Sequence, residues 1–126
     1  LNLEYYKNWG KNCKILAKKI KNEIEKISKK NIIIGYGAAA KANTFINFTK
    51  IKLDLIIDDN KLKQNKFCPG SKTPIKSLNV LKRYKNNIYI VPLAWNFYRE
   101  IKKRVIKVRK NNKDKFIICY PKLKIN

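Results

Sequence analysis

Asn31-Ile-Ile-Ile-Gly35-Tyr36-Gly37-Ala38-Ala39-Ala40-Lys41-Ala42-Asn43-Thr44 is the stretch on which the fold turns. A β-branched run ends in Gly35-Tyr36-Gly37 and is followed by three alanines, which favour helix. The pattern predicts strand, tight glycine turn, helix. Gly35 and Gly37 allow a sharp turn and close backbone approach by a ligand. Ala40 stands where the dinucleotide-binding fingerprint places its third small residue, for close helix–strand packing. The new helix would aim unpaired N–H groups at an anion such as a phosphate. Lys41 in its first turn opposes the helix dipole, so it is expected to serve a ligand. A small-residue turn that binds nothing would have the same spacing.

Around this stretch the apolar pattern continues. Tyr6, Trp9, Cys13, Leu16, Ile20, Ile24 and Ile27 follow one another at steps of three or four, which predicts an amphipathic helix over residues 3–29, about 40 Å long. That exceeds a small sheet. Its C-terminal half is expected to cover the sheet, with Tyr6 and Trp9 reaching toward an upstream domain; a plain surface helix with a frayed start is the alternative. Strands are predicted at 32–36, 53–57 and 88–93, a very short edge strand at 73–75, and a last strand at 116–119. Helices are predicted at 38–48, from the Ser77 N-cap through Lys85, and at 97–108 with Phe97, Ile101, Val105 and Val108 on one face. Asn86-Asn87 and Asn111-Asn112 are breaks, and Pro121 begins a tail. Residues 60–73 read as an irregular basic loop around Pro69-Gly70.

Alternating strands and helices imply a doubly wound parallel α/β sheet of about five strands, with order 3-2-1-4-5. Ligands of such sheets sit beyond the carboxyl ends of the strands. Gly35-Tyr36-Gly37, Asp58-Asp59-Asn60 and Trp95-Asn96 all end strands there, and the basic loop hangs from the same edge. Asp58 lies about 20 residues past the glycine turn, where a carboxylate would take a ribose hydroxyl; an Asx turn closing the strand is the alternative. Trp95 could stack on a base or sugar, or serve the core.

Composition narrows the function classes. The 126 residues, 44% hydrophobic, are read as one domain, 1–126, with 1–30 the leading helix and 31–126 the α/β core. The chain has no methionine and opens inside an amphipathic pattern, so it is expected to be a piece of a longer or processed protein. No apolar run could span a bilayer, and the polar N-terminus is unlike a signal peptide, so a cytoplasmic protein without a membrane partner is expected. The net charge of +23 would attract polyanions, but only four of the 31 basic residues are Arg. Lys, Asn and Ile, all with A/T-rich codons, make up about half the chain, so codon bias accounts for the charge and a nucleic-acid partner is not expected. Cys13, Cys68 and Cys119 are far apart and there is no His, so no zinc site is expected within the chain.

The blocks Gly35-Tyr36-Gly37-Ala38-Ala39-Ala40-Lys41-Ala42-Asn43-Thr44, Asp58-Asp59-Asn60 with Lys63-Gln64, Pro69-Gly70-Ser71-Lys72-Thr73-Pro74-Ile75 and Leu93-Ala94-Trp95-Asn96 together resemble the C-terminal domain of the S-adenosylmethionine-dependent sugar C-methyltransferases, which methylate carbon 3 of nucleotide-linked 4-keto-deoxyhexoses. The resemblance covers nearly the whole chain. It departs at Ala42, where the family usually has Gly, and at Lys72. It implies a Rossmann-like domain that closes over the sugar nucleotide, behind an upstream zinc-binding region and a methyltransferase domain. A base there would remove the carbon 3 proton and the enolate would attack the sulfonium methyl. S-adenosylmethionine and zinc are thus expected upstream, and this chain is expected to hold no cofactor and no catalytic residue of its own. Polar substrate contacts are expected from Lys41, Asn43, Thr44, Asn60, Lys63, Gln64 and Asn96, beside Gly35, Tyr36, Gly37, Asp58, Gly70 and Trp95. Two other readings stay open: a stand-alone dinucleotide-binding module resting on Gly35, Gly37 and Asp58, and a basic polyanion-binding scaffold.

Overall fold

A computed structural model describes residues 3–111 and 113–126. Leu1 and Asn2 of the leading segment and Asn112 of the predicted break lie outside the described residues.

The elements in chain order are α1 (Leu3–Ser28), β1 (Ile33–Tyr36), α2 (Ala40–Thr49), β2 (Leu55–Ile57), β3 (Ile75–Lys76), a 3-10 helix (Leu78–Arg83), β4 (Tyr89–Pro92), a second 3-10 turn (Trp95–Phe97), α3 (Tyr98–Arg109), β5 (Lys115–Ile118) and β6 (Lys124–Ile125). They form one six-stranded sheet of order β3-β2-β1-β4-β5-β6. Its first five strands are parallel, in the order expected. The sixth corrects the expected five. β6 runs antiparallel to β5, pairing Ile125 with Ile117 and Lys124 with Ile118. What reads as a tail after Pro121 therefore turns back along the sheet. A two-residue, solvent-exposed strand has no apolar periodicity to reveal it.

Both faces of the sheet are covered, as parallel strands require. Side chains of β1 alternate between the two layers. Ile33 joins Ile20, Ile24, Ala42, Ile46, Ile56 and Val91 beneath α1 and α2. Ile34 and Tyr36 join Leu81, Ile90, Ile101, Val105 and Phe116 beneath α3 and the first 3-10 helix. Each fully buried Ile or Val contributes about 1.5–3 kcal/mol of apolar transfer free energy. Gly35 faces the α2 layer, where a Cβ would stand 2.8 Å from Leu93 Cδ1 and 2.9 Å from Leu53 Cδ1. Only a residue without a side chain lets those two leucines close over the strand.

α1 is two-part, as its length suggests. Ala17, Ile20 and Ile24 are buried, whereas Tyr6 and Trp9 are 51% and 60% exposed. The N-terminal half is helical but has no layer beneath it.

Three local expectations change. The predicted α-helix at 77–85 is a shorter 3-10 helix, and Ser77 makes no side-chain cap bond. The Arg109 guanidinium binds the carbonyls of Leu81, Tyr84 and Asn86, acceptors that a longer helix would need. Phe97 precedes α3 and is exposed instead of facing the core. The stretch 60–73 holds no strand, as expected of a loop, but it is not free: backbone bonds and a Phe67–Pro74 bridge tie it back as a hairpin. Asn65 N–H donates to Ile75 O at 2.8 Å, Ile75 N–H to Lys66 O at 2.8 Å, and Cys68 N–H to Thr73 O at 2.9 Å. Cys68 plugs the α2 layer.

Candidate functional site

β1 lies between β2 and β4, so the chain leaves its carboxyl end in the crevice where the sheet changes direction. Gly37 makes the turn at φ +104°, a value costly for other residues, and its N–H donates to Ile57 O at 2.7 Å. The fingerprint's close packing is not at Ala40, which is exposed. Ala38 and Ala42 are the small residues buried under the strands, because α2 starts two residues later than the alanine run suggests.

Asp58 and Asp59 divide between the two faces of the sheet. Asp58 Oδ2 accepts the Ala38 N–H at 2.7 Å and Oδ1 accepts the Asn60 N–H at 2.8 Å. Lys63 Nζ lies 3.9 Å from Asp58 Oδ2 and donates to Ala38 O at 3.0 Å. Gln64 Nε2 donates to Asp58 O at 2.9 Å, and Asn60 Oδ1 accepts the Leu62 N–H at 3.0 Å. Asp58, Asn60, Lys63 and Gln64 thus form an Asx-turn brace that clamps the glycine turn from the β2 side. The carboxylate counted as a ribose acceptor is turned onto the turn's own backbone.

Asp59 faces the other way. Its carboxylate accepts the Tyr36 hydroxyl at 3.0 and 3.2 Å and pairs with Arg104 of α3. The Tyr36 ring is 4% exposed, and burial pushes its phenol above the ordinary tyrosine range; Arg104 pulls it down and Asp59 pushes it up. Around this trio lies a cleft of about 190 Å³, also lined by Gly37, Phe97 and Glu100.

On the α2 side, Ala39 occupies the N-cap without any side-chain cap bond, so the first N–H groups of α2 are left uncapped. Lys41 and Thr44 are exposed in the opening turns, Thr44 Oγ1 donating to Ala40 O at 3.2 Å. The Asn43 Oδ1 atom is buried without a hydrogen-bond partner among the described residues. Trp95 is half-buried between Phe45 and Tyr120, with ring centroids 5.9 and 5.2 Å away. Asn96 beside it is exposed. Gly70 is not at this edge. At φ +82° it lies against the last turn of α2, where a Cβ would meet Asn47 Oδ1 at 2.7 Å.

The structure therefore brings Tyr36, Gly37, Lys41, Asn43, Thr44, Trp95 and Asn96 to the carboxyl edge of β1 and β4, gives Gly35, Asp58, Asn60, Lys63 and Gln64 bonds or close contacts around that edge, and leaves Gly70 away from it. It adds Asp59 in its own right, Phe97, Glu100 and Arg104, which the sequence reading passed over. Their signal was scarcity: Arg104 is one of four arginines, and Asp59 and Glu100 are two of eight acids.

Among the described residues, no helix is long and apolar enough to cross a membrane. No group of three His, Cys, Asp or Glu side chains there could hold a metal ion. No curated protein compared with the chain matches it. The family model for the C-methyltransferase C-terminal domain matches residues 1–121, and with an α/β core whose crevice gathers polar and aromatic groups at one edge, this chain belongs to that family.

Proposed function

We propose that this chain is the substrate-side, Rossmann-like domain, spanning 1–126, of a cytoplasmic S-adenosylmethionine-dependent C-methyltransferase acting on a nucleotide-linked deoxy-keto-sugar. The observation that carries the reading is the uncapped start of α2 above the Gly37 turn. Ala39 leaves the first N–H groups without a side-chain cap, and Lys41 adds a cation where it does not help the helix. Both suit the diphosphate of a sugar nucleotide. Thr44, in the second turn of α2, and Asn96, just past β4, are exposed and would add further polar groups. The base, the methyl donor and the zinc would belong to upstream regions, and this domain would bind the substrate and exclude water from the reacting carbon. The exposed half of α1, with Tyr6 and Trp9, would lean on the upstream methyltransferase domain.

An amide chemical-shift titration tests the reading, with dTDP-glucose, NAD and S-adenosylmethionine added in turn at physiological salt. The expected result is shifts at residues 37–44 and 94–97 with the sugar nucleotide. Saturable shifts there with NAD alone would replace it by the cofactor-module reading. In the intact enzyme, Lys41→Ala is expected to raise KM for the sugar nucleotide and leave the methyl-donor KM unchanged.

A further inference from the structure

We propose that the cleft between β1, β4 and α3, formed by Tyr36, Asp59, Phe97, Glu100 and Arg104, binds a hydroxyl-bearing sugar ring of the ligand and discriminates against its phosphates. The proposal takes the ligand's class from the sugar-nucleotide reading.

Charge is the first argument. The protein carries +23, yet two of its eight acids, Asp59 and Glu100, line this cleft beside Asp58, which Lys63 pairs from the other side, and Arg104 is the single cation lining it among the described residues. A phosphate entering here would meet more negative than positive charge, in a molecule whose lysines offer anions better places. Hydroxyl groups face no such penalty, and carboxylates accept from them strongly.

Remaining bonding capacity is the second argument. Tyr36 and Arg104 hold Asp59 in place, but a carboxylate offers about four lone-pair sites and a guanidinium five donors, so both keep capacity toward the opening. Asp59 is positioned before any ligand arrives, because Tyr36 rises from the buried end of β1 and Arg104 from a helix seated by Ile101 and Val105. Size and shape are the third. A volume of about 190 Å³ falls below the roughly 300 Å³ at which sites for drug-sized ligands begin, and suits one ring better than a whole nucleotide. Exposed Phe97 supplies an apolar surface for the C–H face of such a ring. Gly37 separates the cleft from the start of α2, so ring and diphosphate would lie on opposite sides of one turn.

The ring is the hexose or the nucleoside ribose, and calorimetric titration of the intact protein distinguishes them. The probes are dTDP-glucose, which carries hexose hydroxyls but a deoxyribose, UDP, which carries a ribose diol but no hexose, and pyrophosphate. Asp59→Asn and Glu100→Gln are each expected to weaken dTDP-glucose or UDP about tenfold and, by removing a negative charge, to leave pyrophosphate unweakened. Loss with dTDP-glucose but not with UDP assigns the hexose. Loss with UDP assigns the ribose, even where dTDP-glucose is lost along with it, since its deoxyribose keeps a 3′-hydroxyl. Glu100 is exposed on the first turn of α3, so its variant keeps the fold even if Asp59→Asn loosens Arg104. If dTDP-glucose binds and neither variant matters, the cleft proposal falls while the sugar-nucleotide reading stands. If only UDP binds, and through these residues, the reverse holds. Weaker pyrophosphate binding in Arg104→Gln would show that the cleft is a phosphate site, and binding of none of the probes would overturn both.

Discussion

Single residues decide where this sheet is sealed. Arg109 and Asp114 are 3% and 4% exposed and bonded at 2.8 and 3.0 Å. Asp114 also accepts the first N–H of the β4 segment, at Ile88, while Arg109 takes carbonyls of Leu81, Tyr84 and Asn86. Arg109→Leu strips a buried carboxylate of its cation, leaving it the Ile88 N–H, and takes the guanidinium from three carbonyls. It should cost about 3–5 kcal/mol, measured as a shift of the urea midpoint. Removing both partners with Asp114→Leu added should cost less than the sum of the single changes. Cys119 supplies a pH test. Burial pushes its thiol up to about 12. An acid whose folded value stands above its unfolded one loses its neutral-form advantage as pH rises past the unfolded value, near 9. The stability gap between the wild type and Cys119→Ala should therefore narrow from pH 9 upward; a constant gap would show that the thiol ionises without hindrance. The Arg109–Asp114 pair was not legible in the sequence, because five residues of separation on a basic chain resemble any surface contact. Only the convergence of α3, the 3-10 helix and β4 makes it a hub.

At the scale of elements, α1 and the 60–73 hairpin carry the tests. Trp9→Ala should change the stability of this domain by less than about 0.5 kcal/mol, since the side chain is exposed, yet weaken association with the upstream domain. Urea unfolding of the domain and activity of the intact enzyme separate the two. Gly70→Ala places a Cβ at φ +82° against Asn47, and should cost about 1–2 kcal/mol by strain and collision. α1, the parallel strands and α3 were legible because their apolar spacing runs over several turns or a full strand. The hairpin was not: its bonds join Asn65 to Ile75 and Cys68 to Thr73, and no local period announces them. The 3-10 helix was misread for a related reason. Its sequence favours an α-helix, and a distant arginine claims its last carbonyls.

For the whole molecule, charge is the governing quantity. All four aspartates are bonded to backbone N–H groups or to arginine: Asp54 to the Ile33 N–H, Asp58 to those of Ala38 and Asn60, Asp59 to Arg104, and Asp114 to Arg109. They tie the two ends of the central strands, and most of the +23 stays on the surface uncompensated. Raising salt from about 0.01 to 0.3 M should therefore raise the thermal midpoint, as screening relieves self-repulsion; an unchanged midpoint would mean that the lysines lie too far apart to repel. Family membership and the parallel sheet with its order through β5 were determined by the sequence alone. These depend on local periodicity, turn chemistry and the right-handed crossover, which neighbouring residues carry. The added β6, the hairpin, the inward turn of Asp58 and the cleft around Asp59 and Arg104 were decided only in the folded chain. Each depends on a partner more than five residues away, and the direction of a carboxylate follows from which distant N–H or guanidinium the packing brings within reach.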